Sequence, residues 1–222
     1  MNHDQLSPSD APTPMPIEPH TGKRPGSAGG SRRRDIFNAF SSVFLFILFP
    51  ALIAIILTAF IIQSYQVDGQ SMEVSLQNHD RLIVDKMPRT WSRITRHQYV
   101  PARGDIVIFN QTGLPDSFFQ KQLIKRVIGL PGERVSISNG QVTVYNSNSQ
   151  SGFNPDKLGK YTITAPTVSD KHDWVVADDE IFVLGDNRGN SEDSRYFGPV
   201  KTNAIVGKLL VRIYPFSNTK VF

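Results

Sequence analysis

Two separated stretches, Gly69-Gln70-Ser71-Met72 and Ile124-Lys125-Arg126-Val127-Ile128-Gly129-Leu130-Pro131-Gly132, supply a serine able to attack a carbonyl and a lysine able to take its proton. Serine is a weak nucleophile until a base removes that proton, and the usual base is histidine. His3 and His20 lie in the N-terminal tail and His172 in an irregular stretch, while His79 and His97 stand among polar or basic neighbours, the setting of a solvated histidine. Lys125 is better placed. In a strand it shares a face with Leu123 and Val127 while Ile124, Arg126 and Ile128 point the other way, which sets its ammonium in an apolar row. An ordinary lysine, pKa about 10.4, is neutral in roughly one molecule in 2,500 at pH 7, and a desolvation drop of about three units leaves a quarter or more of it uncharged. The alternative for an isolated lysine is a stem that snorkels to solvent at a sheet edge.

The elements around these residues must hold them together near a membrane. No charged residue occurs from Val43 to Ile62. About 20 helical residues at 1.5 Å rise give roughly 30 Å, the thickness of a hydrocarbon core. Residues 36–63 therefore read as a transmembrane anchor, with Pro50 tolerated inside it. Arg32-Arg33-Arg34 precede the span while Asp68 and Glu73 follow it, which places the N-terminus in the cytoplasm and the chain after Gln63 outside. A cleaved signal peptide fits less well, because the apolar core is long and no small-x-small site follows before Ser64. The stretch from Ile62 to Ser71 reaches at most about 30 Å when extended, so the serine is tethered near the bilayer face. Residues 1–35, rich in proline, glycine and arginine, read as a disordered tail.

The net charge of +4 is concentrated at Lys23, Arg24, Arg32, Arg33 and Arg34, which argues for membrane topology and against a nucleic-acid partner. With no cysteine, disulfides and thiolate chemistry are excluded. Residues 64–222 carry short alternating apolar runs at Arg81–Val84, Asp105–Phe109, Leu123–Ile128, Val135–Ile137, Val142–Tyr145, Glu180–Leu184 and Ile205–Tyr214. These predict one mainly antiparallel β domain, with a tight hairpin at Asn139-Gly140 and a type II turn at Pro131-Gly132. Residues 146–172 lack periodicity and read as an inserted surface loop.

The blocks Gly69-Gln70-Ser71-Met72, Arg103-Gly104-Asp105-Ile106-Val107, Lys125 through Glu133, and Gly185-Asp186-Asn187-Arg188-Gly189-Asn190-Ser191-Glu192-Asp193-Ser194-Arg195 resemble, in order, those of bacterial type I signal peptidases. The resemblance covers roughly residues 36–214. It implies a β-sheet, barrel-like catalytic domain on one N-terminal anchor, with Ser71 as nucleophile and Lys125 as general base. It further implies that Ser191 orients the amine, that Asp193 and Arg195 pair in support, and that Asp186 engages Arg126. A neutral amine needs an orienting hydroxyl, and a buried guanidinium needs a carboxylate, so both pairings make physical sense.

By the same resemblance the substrate is a signal-peptide-bearing preprotein, lying extended between the segment before Ser71 and the strand before Lys125, with Gln70, Met72, Leu123 and Ile124 in contact. No metal or cofactor is called for. The pattern departs at Val74-Ser75, where family members usually carry Pro-Thr. At Gly69 some members have a serine that helps hold the oxyanion, which here leaves the Ser71 backbone N–H as chief donor. Self-cleaving repressor-type peptidases also pair serine with lysine, but they carry a DNA-binding N-terminus where this chain has an apolar span. A membrane-anchored β domain that binds without cutting is the non-enzymatic alternative.

Overall fold

The computed structural model describes residues 43–112 and 121–222. The expected tail over 1–35 and the start of the anchor, 36–42, lie outside them. The chain divides into two units, Met1–Phe49 and Pro50–Phe222. A run of 18 residues, Phe44–Ile61, is long and apolar enough to cross a membrane. It consists of a π-helical turn Phe44–Leu48, the α-helix α1 (Phe49–Ile56) and a second π-helical turn Leu57–Ile61. It is apolar nearly all round and, among the described residues, exposed along almost its whole length.

The chain passes from that run straight into β1 (Ile62–Gln66), which pairs antiparallel with β2 (Arg81–Asp85). The helix α2 (Met87–Thr95) follows, then β3 (Ile106–Gln111) and β4 (Lys121–Gly129). A smaller sheet holds β5 (Arg134–Ser138), β6 (Gln141–Asn146), β7 (Ser149–Phe153) and β8 (Asp173–Val175), in the order β7-β6-β5-β8. The chain then returns through β9 (Glu180–Leu184), the short helix α3 (Ser194–Phe197), β10 (Val200–Lys201), β11 (Ile205–Tyr214) and β12 (Lys220–Val221). The larger sheet runs β1-β2-β11-β3-β4-β9-β10, with β12 on β11, and every pairing is antiparallel. The expected mainly antiparallel β fold is what forms.

Alternation builds the core. In β3 and β4, Val107, Phe109, Leu123 and Val127 join Val183 and Ile205 in one buried cluster, while Ile106 joins Met72, Leu76 and Leu82 in another. Ile128, Phe182 and Leu184 carry the larger sheet onto the smaller, against Val135, Val144 and Trp174. The β5–β6 hairpin turns at Asn139 and Gly140, both at positive φ, as the Asn-Gly pair requires of such a turn.

Residues 146–172 are not a bare surface loop. They include β7 and a 3-10 turn, Pro155–Leu158, and bury Pro155 and Thr167. Their polar composition hid this, because the apolar groups that pack inward, Phe153, Pro155 and Tyr161, are few and follow no period.

Candidate active site

Ser71 sits in a turn between β1 and β2. Gly69 enters it at φ 106°, a conformation side chains disfavour, and its N–H is held by Asn78 Oδ1 at 3.0 Å. Asn187 N–H donates to the Ser71 carbonyl oxygen at 3.0 Å, fastening the turn to the loop after β9. Gly185 makes that approach possible, since a Cβ there would collide with Ser191 Oγ and the Ser71 carbonyl oxygen. Among the described residues no acceptor takes the Ser71 N–H, which is left free for a ligand.

Lys125, on β4, brings Nζ to 2.7 Å from Ser71 Oγ and 3.0 Å from the Ile124 carbonyl oxygen. The side chain is 3% exposed. Burial lowers its pKa to about 8, against the opposing attraction of Asp193 and Glu192. The drop matches in direction and rough size what desolvation by aliphatic neighbours suggests, with the two carboxylates acting against it. About one molecule in ten then carries a neutral amine at pH 7, which is enough for a general base that recycles.

Charged pairs surround this centre. Arg126 grips Asp186 through both Nε (2.7 Å) and Nη2 (2.6 Å), donates to Gly104 O at 2.7 Å, and reaches the Ser75 hydroxyl at 3.0 Å. Ser75 thus supplies a hydroxyl to the arginine even though Pro-Thr is absent. Arg195 pairs with Asp193 in the same two-pronged way, both contacts at 2.8 Å, and Asp193 Oδ2 also accepts from Gly185 N–H at 3.0 Å. Each buried guanidinium meets a carboxylate, which avoids the cost of an unpaired buried charge.

Two sequence-derived expectations need correction. Ser191 Oγ is buried beside Gly185 but has no hydrogen-bond partner, so in this state the lysine takes the Ile124 carbonyl and not that hydroxyl. Met72 is 1% exposed and packs with Val67, Leu76 and Leu209. It braces the Ser71 turn from the core and offers no side-chain surface to the groove.

Gln70, Leu123 and Ile124 do face a groove of about 860 Å³ that also contains Ser71, Lys125 and Tyr65. Its two sides are strand edges. β1 ends the larger sheet, and Lys121–Lys125 of β4 pair with β3 alone, because β9 begins its pairing at Arg126. Among the described residues both edges are open, the arrangement that admits an extended peptide as an added strand.

Sequence reasoning missed a layer behind the ion pairs. Tyr161 lays its ring 4.3 Å from the Arg126 guanidinium carbon and donates its hydroxyl to Asp156 at 2.8 Å. Asp156 in turn grips Arg188 through contacts of 2.7 and 2.6 Å, and Arg188 also donates to Gly185 O at 3.0 Å and to the Thr167 hydroxyl. Nothing in the unpatterned 146–172 stretch signals these contacts, although Arg188 lies within a matched block.

A mainly antiparallel β domain that buries a lysine amine against a groove serine is an arrangement able to support hydrolysis through that pair. The model of the family described as signal peptidase, peptidase S26, matches residues 40–214. A protein named probable signal peptidase I-2 from Synechocystis sp. is 38% identical over 74% of this chain and 68% of its own length. A signal peptidase I from Bacillus caldolyticus is 35% identical over 72% of this chain and 84% of its own. A solved signal peptidase I from Enterococcus faecalis V583 is 30% identical, aligning with 49% of this chain and 96% of its own at a TM-score of 0.32. That superposition is too partial to bear on the fold, which rests on the strand pairing above. The chain belongs to the signal peptidase, peptidase S26 family.

Proposed function

We propose that this protein is a membrane-anchored serine endopeptidase that removes N-terminal signal peptides from exported preproteins, with Ser71 as nucleophile and Lys125 as base. The observation that carries the catalytic assignment is the 2.7 Å approach of a buried lysine amine to a hydroxyl in a groove open to an extended chain. Neutral Lys125 takes the Ser71 proton as Oγ attacks the scissile carbonyl. The oxyanion is met by the free Ser71 N–H. The resulting ammonium returns the proton to the leaving amine, which departs as the new N-terminus of the mature protein. An acyl ester on Ser71 remains. Lys125, neutral again, draws a proton from water as it attacks the ester, then gives that proton to the departing Ser71 Oγ, which frees the signal peptide and restores both residues.

Around the dyad, Arg126 joins Asp186 of the loop after β9 to Ser75, Asn187 fastens that loop to the Ser71 and Gln70 carbonyls, and Asp193–Arg195 braces the loop from within. Phe44–Ile61 anchors the catalytic domain, with the N-terminus cytoplasmic and the groove on the outer side. Enzyme and substrate then share one bilayer, which raises their effective concentration. Full-length protein in detergent, incubated with a preprotein, is expected to cut at one bond after small residues, and Ser71→Ala and Lys125→Ala are expected to abolish that product. Cleavage that survives either change, measured by sequencing the new N-terminus, would overturn the assignment.

A further inference from the structure

The helix α2 is inside out. Soluble amphipathic helices bury their apolar stripe, yet here Met87, Trp91 and Ile94, spaced to share one face, are 52%, 65% and 70% exposed. The polar side packs inward instead. Arg89 donates to the Asn203 carbonyl at 3.2 Å, Thr90 to the Phe60 carbonyl at 2.9 Å, and Lys86 Nζ to the Ala59 carbonyl at 3.0 Å. The last two tie α2 to the final turn of the apolar run, so the exposed stripe adjoins the segment long enough to span a bilayer. From Lys86 to Gly104 the sequence contains Lys86, Arg89, Arg93, Arg96 and Arg103 and no carboxylate.

We propose that α2 docks on the surface of an anionic bilayer, with Met87, Trp91 and Ile94 in the headgroup region and Arg93 and Arg96 against lipid phosphates. The charge matches anionic headgroups, tryptophan favours the membrane interface, and long basic side chains reach phosphates from beside an apolar stripe. The consequence reaches the active site. Tyr65 and Gln122 line both the cleft beneath α2 and the groove that holds Ser71 and Lys125. Docking therefore sets the mouth of the groove at the depth where a membrane-borne peptide emerges. This inference rests on the anchored reading above.

The chain has no cysteine, so Ile94→Cys provides a single labelling site for a fluorophore, with exposed Lys171→Cys as control. Full-length protein is reconstituted into vesicles of phosphatidylcholine alone or mixed with phosphatidylglycerol, and quenching by aqueous iodide is measured. The label at 94 is expected to be shielded in anionic vesicles and open in detergent, with the control open in both. Arg93→Gln and Arg96→Gln should each weaken that docking about fivefold at low salt. Protein that floats with the vesicles while the label at 94 stays open would overturn the docking and leave the anchor standing. Failure to float would overturn both. Equal shielding at Lys171→Cys, or shielding at 94 that needs an added protein, would also contradict a lipid-docked helix.

Discussion

Lys125 Nζ lies 2.7 Å from Ser71 Oγ, and among the described residues no carboxylate oxygen comes within 4.0 Å of that amine. A lysine 3% exposed without an ion-pair partner works against the fold whenever it is charged. With its folded pKa near 8, the penalty is full below pH 8 and fades as pH rises toward 10.4, where the unfolded chain also loses the proton. Lys125→Met is therefore expected to be inactive yet more stable than the parent by about 2 kcal/mol at pH 7. Denaturant melts at pH 7 and near pH 10 should show that gain shrink on the alkaline side.

Glu192 is exposed and raises the Lys125 pKa through its charge. Glu192→Gln should move the acid limb of kcat/KM to lower pH, because the neutral amine then appears earlier. The shift is expected to be a fraction of a unit, since exposed charges are screened. Added salt should narrow the difference between the two enzymes, because it screens the Glu192 charge.

Ser191 Oγ has no partner in the resting state, so its removal costs no existing hydrogen bond. Ser191→Ala should leave the melting temperature within about a degree or two. Because the Ile124 carbonyl orients the lysine, kcat should also stay within about threefold of the parent. A fall of roughly tenfold or more with KM little changed would show that the hydroxyl holds the amine during turnover.

The Arg188 side chain is wholly buried and depends on Asp156, which Tyr161 also engages. Asp156→Ala should cost about 3–5 kcal/mol by leaving a buried guanidinium unpaired, and Asp156→Asn less. Thermal unfolding would read this directly. A neutral effect would mean that the 146–172 segment is dispensable to the site.

The strands legible in the sequence were short apolar runs bounded by polar residues, such as Asp105–Phe109 and Glu180–Leu184, because both faces of these strands are buried and leave a continuous run of Ile, Val, Phe and Leu. β1 was not legible, since Ile62–Gln66 is polar in composition and abuts the apolar span. Neither was α2, whose sparse apolar stripe points outward among basic residues. Ser71 and Lys125 could be paired from motif order. The brace of Asp156, Tyr161, Thr167 and Arg188 could not, because hydrogen bonds between residues 32 or 21 positions apart leave no local pattern. Met72 was misplaced for a related reason: its neighbours in the motif face the groove, while the turn sends its own side chain into the core.

The central claim is an uncharged amine within reach of a hydroxyl, and direct titration of that amine tests it best. Protein carrying lysine labelled with ¹³C at Cε, with the Lys125 resonance assigned by its loss in Lys125→Met, should show one lysine titrating near pH 8, well below the others. A Lys125 resonance that titrates with the bulk near 10.4 would contradict the account.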